Sequence, residues 1–230
     1  MSRILFPAIL GALLFASCLS NTGKQILTPP ETAGTGETQK YFIVTDHKNK
    51  LYGEPIPEWV NLYLEGGASH VETLDAYGES YVFIGRNEGN NFNALTQWTK
   101  GFSPELDFPR LAAARIETRF RAAVPYPDEE YGAFFEELIR TASDTVWTGA
   151  VREDDFWIRK TYFPGGASEP VFFENEERET WEFLILVTID RKLFASQLAT
   201  VFRNTKPNPA PAKDQIAAAN RVKDRFFTGF

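Results

Sequence analysis

Along this chain the apolar positions change period several times between Tyr41 and Arg203, and each change predicts an element. Tyr41-Phe-Ile-Val-Thr45 is a short apolar run of strand type. Pro57 then opens a turn or two of helix through Trp59, Val60, Tyr63 and Leu64, proline being favoured at a helix start. Ser80 to Gly85 (SYVFIG) predicts a compact strand bounded by glycine, and the next stretch, Gly85 to Gly89, reads as a turn. From Pro104 to Val124, Leu106, Ala113, Ile116, Phe120 and Val124 recur at helical spacing, with Arg115, Glu117 and Arg119 on other faces. Pro127-Asp128-Glu129-Glu130 supplies an acidic first turn that suits a helix dipole. That second helix continues through Tyr131, Phe134, Leu138, Ala142 and Val146.

The period then shortens to two. Thr148 to Phe163 alternates, with Phe156, Ile158 and Tyr162 on one side. Thr180 to Asp190 puts Trp181, Phe183, Ile185, Val187 and Ile189 on one face and Leu184 and Leu186 on the other. Apolar on both faces at its centre, it predicts an interior strand. Lys192 to Phe202 returns to helical spacing through Leu193, Ser196, Leu198 and Val201. Helices and strands in separate runs predict an α+β fold, a small antiparallel sheet packed by two to three helices in a single domain.

The flanks differ in composition. Residues 18–40 are rich in Thr, Gly and Pro and read as a flexible linker, with a root-mean-square reach of ~25 Å. Asn204 to Lys213 holds three prolines and predicts a semi-extended link. Asp214 to Phe227 follows with Ile216, Ala219, Val222 and Phe226 on one stripe. An isolated helix of that length is marginal in water, so this amphipathic tail needs something to dock on. The plan is residues 1–17 as a leader, 18–40 as a tether, 41–203 as the domain and 204–230 as link and tail.

Composition sharpens the beginning of that plan. Aromatic residues make up 14% of the chain, with 20 Phe, which excludes a chain disordered throughout. Cys18 is the only cysteine, so no internal disulfide can form. It stands at the end of an unusual stretch: Arg3, twelve uncharged residues from Ile4 to Phe15, then Ala16 and Ser17. A basic start, a short apolar middle and small residues at the cut are the three parts of a secretory signal. The middle is too short to span a bilayer, which takes ~20 apolar residues. With cysteine directly after Ala16-Ser17, the signal resembles that of a bacterial lipoprotein, although Phe15 stands where leucine is commonest. On this reading Cys18 is the lipidation site. Losing Arg3 with the leader takes the net charge from −7 to −8, which speaks against nucleic acid and against polybasic adhesion to anionic lipid.

The order of motifs behind this lipobox carries a wider likeness. Pro57-Glu58-Trp59-Val60, the strand Tyr81-Val-Phe-Ile-Gly85, the alanine-rich run Leu111-Ala-Ala-Ala-Arg-Ile116, the paired strands and the final helix resemble the LPP-twenty-type outer-membrane lipoproteins. Relatives of that group include the amino-terminal domain of a flagellar-assembly protein. The likeness covers roughly residues 57–203. It departs at Arg86 to Pro104, a longer and more aromatic link than usual, and in the phenylalanine-rich second helix. The ending Arg225-Phe226-Phe227-Thr228-Gly229-Phe230 also resembles spirochaetal lipoproteins. The resemblance implies a lipid-anchored place in the cell envelope, at the outer membrane, and a structural or binding role without catalytic residues. Partners would be the membrane itself, through the lipid, and an envelope protein or lipid.

Candidate chemistry is sparse. His47 and His70 have no partner at metal-ligand spacing, so neither a metal nor a cofactor is expected. Glu153-Asp154-Asp155 and the group Glu174, Glu176, Glu177 and Glu179 could hold calcium if the hairpin joined them. A solvated acidic tip is the simpler expectation. Trp59, Tyr63, Trp98, Phe102 and Phe108 form the one candidate ligand groove, for a peptide, glycan or acyl chain; the simpler expectation is that these rings cap the sheet. The expected function is therefore that of a membrane-anchored scaffold or binding lipoprotein. The alternatives are a lipid-binding or membrane-inserting lipoprotein and, further off, an envelope hydrolase.

Overall fold

The computed structural model describes residues 26–27, 41–123, 129–163, 179–205 and the single positions 213, 216, 217 and 220. In chain order the strands and α-helices are β1 (Ile26–Leu27), β2 (Tyr41–His47), α1 (Glu58–Gly66), α2 (Ala68–Val71), β3 (Ser80–Gly89), α3 (Phe92–Gly101), α4 (Pro104–Ala123), α5 (Glu129–Asp144), β4 (Val151–Phe163), β5 (Glu179–Asp190) and α6 (Arg191–Asn204). The strands form one sheet in the order β1-β2-β4-β5-β3, every pair antiparallel. β5 is interior, as its pattern predicts, and Glu182 through Ile189 are buried without a break.

Alternation along β5 and β3 divides the molecule into two apolar layers. Ile185, Val187 and Ile189, with Tyr81 and Phe83, face α4, α5 and α6. Leu184, Leu186 and Val82 face the other way, toward α1 and α2. The α+β architecture is thus the expected one, but among the described residues six α-helices cover both faces where two to three were expected.

The larger layer is built on rings. Phe194 of α6 stacks on Trp147 with centroids 4.9 Å apart and meets Phe83 at 5.4 Å. Phe83 in turn meets Phe108 edge-on at 4.7 Å. The Trp147 indole donates to the Ala142 carbonyl at 2.9 Å, so its polar end is satisfied inside the core. Asp190 ends β5 and caps α6 by accepting from the Leu193 amide at 2.8 Å. This direct strand-to-helix joint fixes the angle at which Phe194 enters the layer.

Several local expectations are corrected. The apolar stripe of α4 runs Phe108, Ala112, Ala113, Ile116 and Phe120, while Leu106 is 81% exposed in the first turn beside Glu105 and Asp107. Val146 lies past the end of α5 and is exposed. Gly85 to Gly89 is not a turn but the second half of β3, paired from Gly85↔Ile185 to Gly89↔Trp181. Gly85 is glycine for a packing reason: a Cβ there would meet the Phe102 ring at 3.1 Å. The link from Arg86 to Pro104 therefore holds strand and α3. Within the expected tether, Ile26 and Leu27 pair with Ile43 and Phe42, so that segment contributes to the sheet edge. Val124, the second link at 206–212 and most of the terminal tail lie outside the described residues.

The two readings of α4 and α6 separate cleanly by mutation. Phe194→Ala removes a fully buried ring and is expected to cost about 3–5 kcal/mol, whereas Leu106→Ala is expected to stay within about 0.5 kcal/mol. Chemical denaturation of the two variants checks this; a large loss at Leu106 would return it to the core.

Candidate functional site

At the far end of β3 and β5 the strand pattern turns from apolar to charged. Arg86 and Glu88 continue the face of Val82 and Ile84, and the register sets Arg86 opposite Leu184 and Glu88 opposite Glu182. Lys160 and Tyr162 of β4 occupy the same face, with Lys160 opposite Thr180. Period-two alternation thus aims two cations, two carboxylates, a tyrosine and a threonine into one space beside α1.

Two of these charges are withdrawn from water, while Glu88 is half-buried and Arg86 reaches solvent. Glu182 is 1% exposed and Lys160 3%. Arg86 Nε and Lys160 Nζ form ion pairs with the two carboxylate oxygens of Glu182, one on each. Arg86 reaches Glu88 Oε2 at 2.6 Å. Glu88 Oε1 accepts from the Tyr162 hydroxyl at 2.7 Å and from the Thr180 hydroxyl at 2.8 Å. Lys160 Nζ lies 4.3 Å from the Phe42 ring centroid and 6.0 Å from that of Tyr162, so the ammonium also sits over aromatic faces.

The ionisation equilibria follow from this packing. Burial opposes charge on Glu88, but the Tyr162 hydrogen bond, the Lys160 charge and the contacts of Thr180 and Arg86 outweigh it. They hold the carboxyl below its ordinary value. Tyr63 on α1 is pushed up to about 12, first by burial and then by the Glu182 charge. Tyr162 is raised by burial and by its bond to Glu88. Burial works against the Arg86 charge, yet Glu182 more than compensates and drives its pKa upward.

Two positive and two negative side chains close on one another, and each carboxylate has a cation beside it. Such a set suits the fixing of strand register better than proton transfer. A one-residue slip would send Glu182 to the opposite face. That face holds an aromatic box in which Trp181 lies 4.8 Å from Phe92 and 5.1 Å from Trp157, with Phe183 5.2 Å from Phe92. Arg159 also lies there, its guanidinium over Trp181 at 5.4 Å and already paired with Glu179.

The five rings expected to line one groove are divided by the sheet. Trp59 and Tyr63 lie in the α1 layer, and Trp98, Phe102 and Phe108 in the α4–α6 layer. Their alternation relative to β3 and β5 was the missing information, since helices carry no mark of which sheet face they cover. Trp59 Nε1 donates to Asp154 Oδ2 at 3.0 Å, which fixes the start of α1 to β4.

Glu179, the one described member of the second acidic group, is likewise apart from Glu153-Asp154-Asp155. Asp154 pairs with Leu186 and Thr161 with Glu179, seven residues of β4, about 23 Å along the strand. A bulge at Glu153 shifts the register between Arg152 and Asp154, and each acid finds its own partner. Glu153 accepts from the Thr188 hydroxyl at 2.7 Å, and Asp155 binds Lys48 and Arg152, both at 2.9 Å. Glu174, Glu176 and Glu177 lie outside the described residues, as does Cys18. His47 packs on Phe156 with centroids 6.1 Å apart, and its partial burial lowers its pKa. Among the described residues no three His, Cys, Asp or Glu side chains are grouped to hold a metal ion.

No family model, curated protein or solved structure matches this chain.

Two measurements test the buried charges. Glu182→Gln strands Lys160 and Arg86 and is expected to cost about 3–5 kcal/mol in urea unfolding, while the double change Lys160→Met with Glu182→Leu recovers most of that loss. An additive pair would show the two residues to be uncoupled. The raised tyrosine pKa values mean that the folded chain holds these protons more tightly than the unfolded one. Their stabilising contribution is full below the ordinary value of 10 and fades as pH climbs toward 12. Absorbance titration should show a late-ionising fraction that Tyr63→Phe and Tyr162→Phe each shrink.

Proposed function

We propose that this chain is an exported bacterial lipoprotein, acylated at Cys18, that holds one α+β domain at the cell envelope as a scaffold or binding module without catalytic activity. The observation that carries the reading is the run Arg3, Ile4–Phe15, Ala16-Ser17-Cys18, in which the chain's one sulfhydryl falls directly after the small residues of a leader. Hydrocarbon on that sulfur supplies ~0.8 kcal/mol per buried methylene, and more than one chain gives stable anchoring.

The folded part agrees with an anchor of this kind. Among the described residues no helix is long and apolar enough to cross a membrane. The sheet begins at Ile26, eight positions after Cys18, so the domain follows closely on the proposed anchor. The buried Lys160 and Glu182 and the more exposed Arg86 and Glu88 satisfy one another, which supports a role in holding shape. The likeness to LPP-twenty-type lipoproteins and an outer-membrane location belong to this same proposal.

Intact mass of the native product, with fractionation of cells expressing wild type and Cys18→Ser, decides the matter. Expected are loss of residues 1–17, acyl chains on Cys18, and release of the Cys18→Ser domain from the membrane fraction. A bare thiol on a membrane-free wild type would overturn the reading.

A further inference from the structure

We infer that the turn carrying Leu51 and Tyr52 is a second membrane contact, an apolar tip that enters the bilayer interface beside the acylated Cys18 and fixes the orientation of the domain. The inference rests on the anchor proposed above and adds a site to it.

Leu51 is 89% exposed and Tyr52 75%, adjacent in a single 3-10 turn at Lys50–Tyr52. The turn is firmly built. The Tyr52 amide donates to the Asn49 carbonyl at 3.0 Å, Gly53 to Lys50 at 3.1 Å and Glu54 to Asn49 at 3.3 Å. Lys50 Nζ donates back to the Thr45 carbonyl at 2.8 Å, and Lys48 is fastened to Asp155. Gly53 closes the turn with φ 71°, a conformation that glycine adopts without strain. A large aliphatic side chain and a tyrosine are thus held out by the backbone, the pairing of residue types that suits the boundary of hydrocarbon and headgroup.

The register of β1 says which surface they meet. Leu27 pairs with Phe42 and Ile26 with Ile43, so the chain enters β1 from the His47 end of β2. The same end of β2 leads into the Leu51–Tyr52 turn. Cys18 precedes Ile26 by eight residue steps, at most about 28 Å fully extended. Were Tyr41 the first fixed residue, that limit would be about 80 Å. From Ile43 to His47 β2 itself advances about 13 Å in the direction of the anchor. Ile26, the start of β1, and the tip therefore lie toward the same end of the β1–β2 ladder, and a bilayer holding acyl chains on Cys18 would be within reach of Leu51 and Tyr52.

Because Cys18 is the only native cysteine, acylation leaves an introduced thiol as the unique labelling site. The acylated chain carrying Tyr52→Cys is nitroxide-labelled, placed in phosphatidylcholine vesicles and compared with an acylated chain labelled at Glu136→Cys on exposed α5. The label at position 52 is expected to lose most of its collisions with a water-soluble relaxation agent and to gain collisions with dissolved oxygen, while the label at 136 stays wet. Equal wetness of the two labels on a chain whose mass shows the acyl groups overturns the tip and leaves the anchor standing. Protection at 52 that persists in Cys18→Ser/Tyr52→Cys without vesicles assigns the tip to a second copy of the chain and also overturns the inference. A bare thiol by mass removes the anchor and the tip together.

Discussion

Glu182 is a carboxylate inside a strand whose next seven residues are all buried, and in the observed register of the sheet Arg86 and Lys160 meet that charge. Hydrophobic burial along β5 is strong but indifferent: both faces are apolar from Phe183 to Val187, so burial alone barely distinguishes one register from its neighbour. The ion pairs supply the distinction. They tie β3, β4 and β5 at one position, and a slip would place Glu182 among Phe92, Trp157 and Trp181. This role for buried charge is specificity of pairing rather than net stability, since desolvation consumes much of the Coulombic gain.

The same network explains why part of the fold was legible in the sequence and part was not. Where one face is apolar and the other polar, as in β4, α5 and α6, periodicity suffices, and β5 is marked by its unbroken apolar centre; all four fall within a few residues of their expected bounds. The glycines at 85 and 89 read as the two ends of a turn, whereas Arg86 and Glu88 between them continue β3 and face the buried Glu182 and Lys160. Single positions were misjudged where helix ends begin, as at Leu106, because a stripe does not show which turn first meets the sheet. The five-ring groove failed for a different reason. Ring-bearing helices on opposite faces of a sheet have identical patterns, and only the strand register assigns Trp59 and Tyr63 to one layer and Phe102 and Phe108 to the other.

β1 was the least legible element. Ile26 and Leu27 are two apolar residues in a stretch of Thr, Gly and Pro, with no period to read. Their pairing to β2 supplies hydrogen bonds to what would be an exposed sheet edge, a position that otherwise invites another strand. It also converts a spacer into part of the domain. Under the proposed anchor, a leash fixed at Ile26 rather than Tyr41 would limit how far the folded body can stand from Cys18.

The acidic balance of the chain gives this geometry its sense. Under the proposed anchor the chain without residues 1–17 would carry −8 and be repelled by anionic headgroups as a whole, so proximity to a bilayer would have to come from hydrocarbon. Acyl chains on Cys18 would supply the attraction but no orientation, since a single attachment point leaves the body free to roll. Orientation needs a second contact away from the first, rigid relative to the sheet and apolar enough to offset the repulsion. Lys48 and Lys50 are already committed to Asp155, Asp46 and the Thr45 carbonyl, so the turn between them and Gly53 presents its two uncharged side chains rather than a cationic patch. Under the proposed anchor, the division of labour is therefore physical: lipid for affinity, backbone-held Leu51 and Tyr52 for attitude, and a charge-locked sheet that keeps the two in fixed relation.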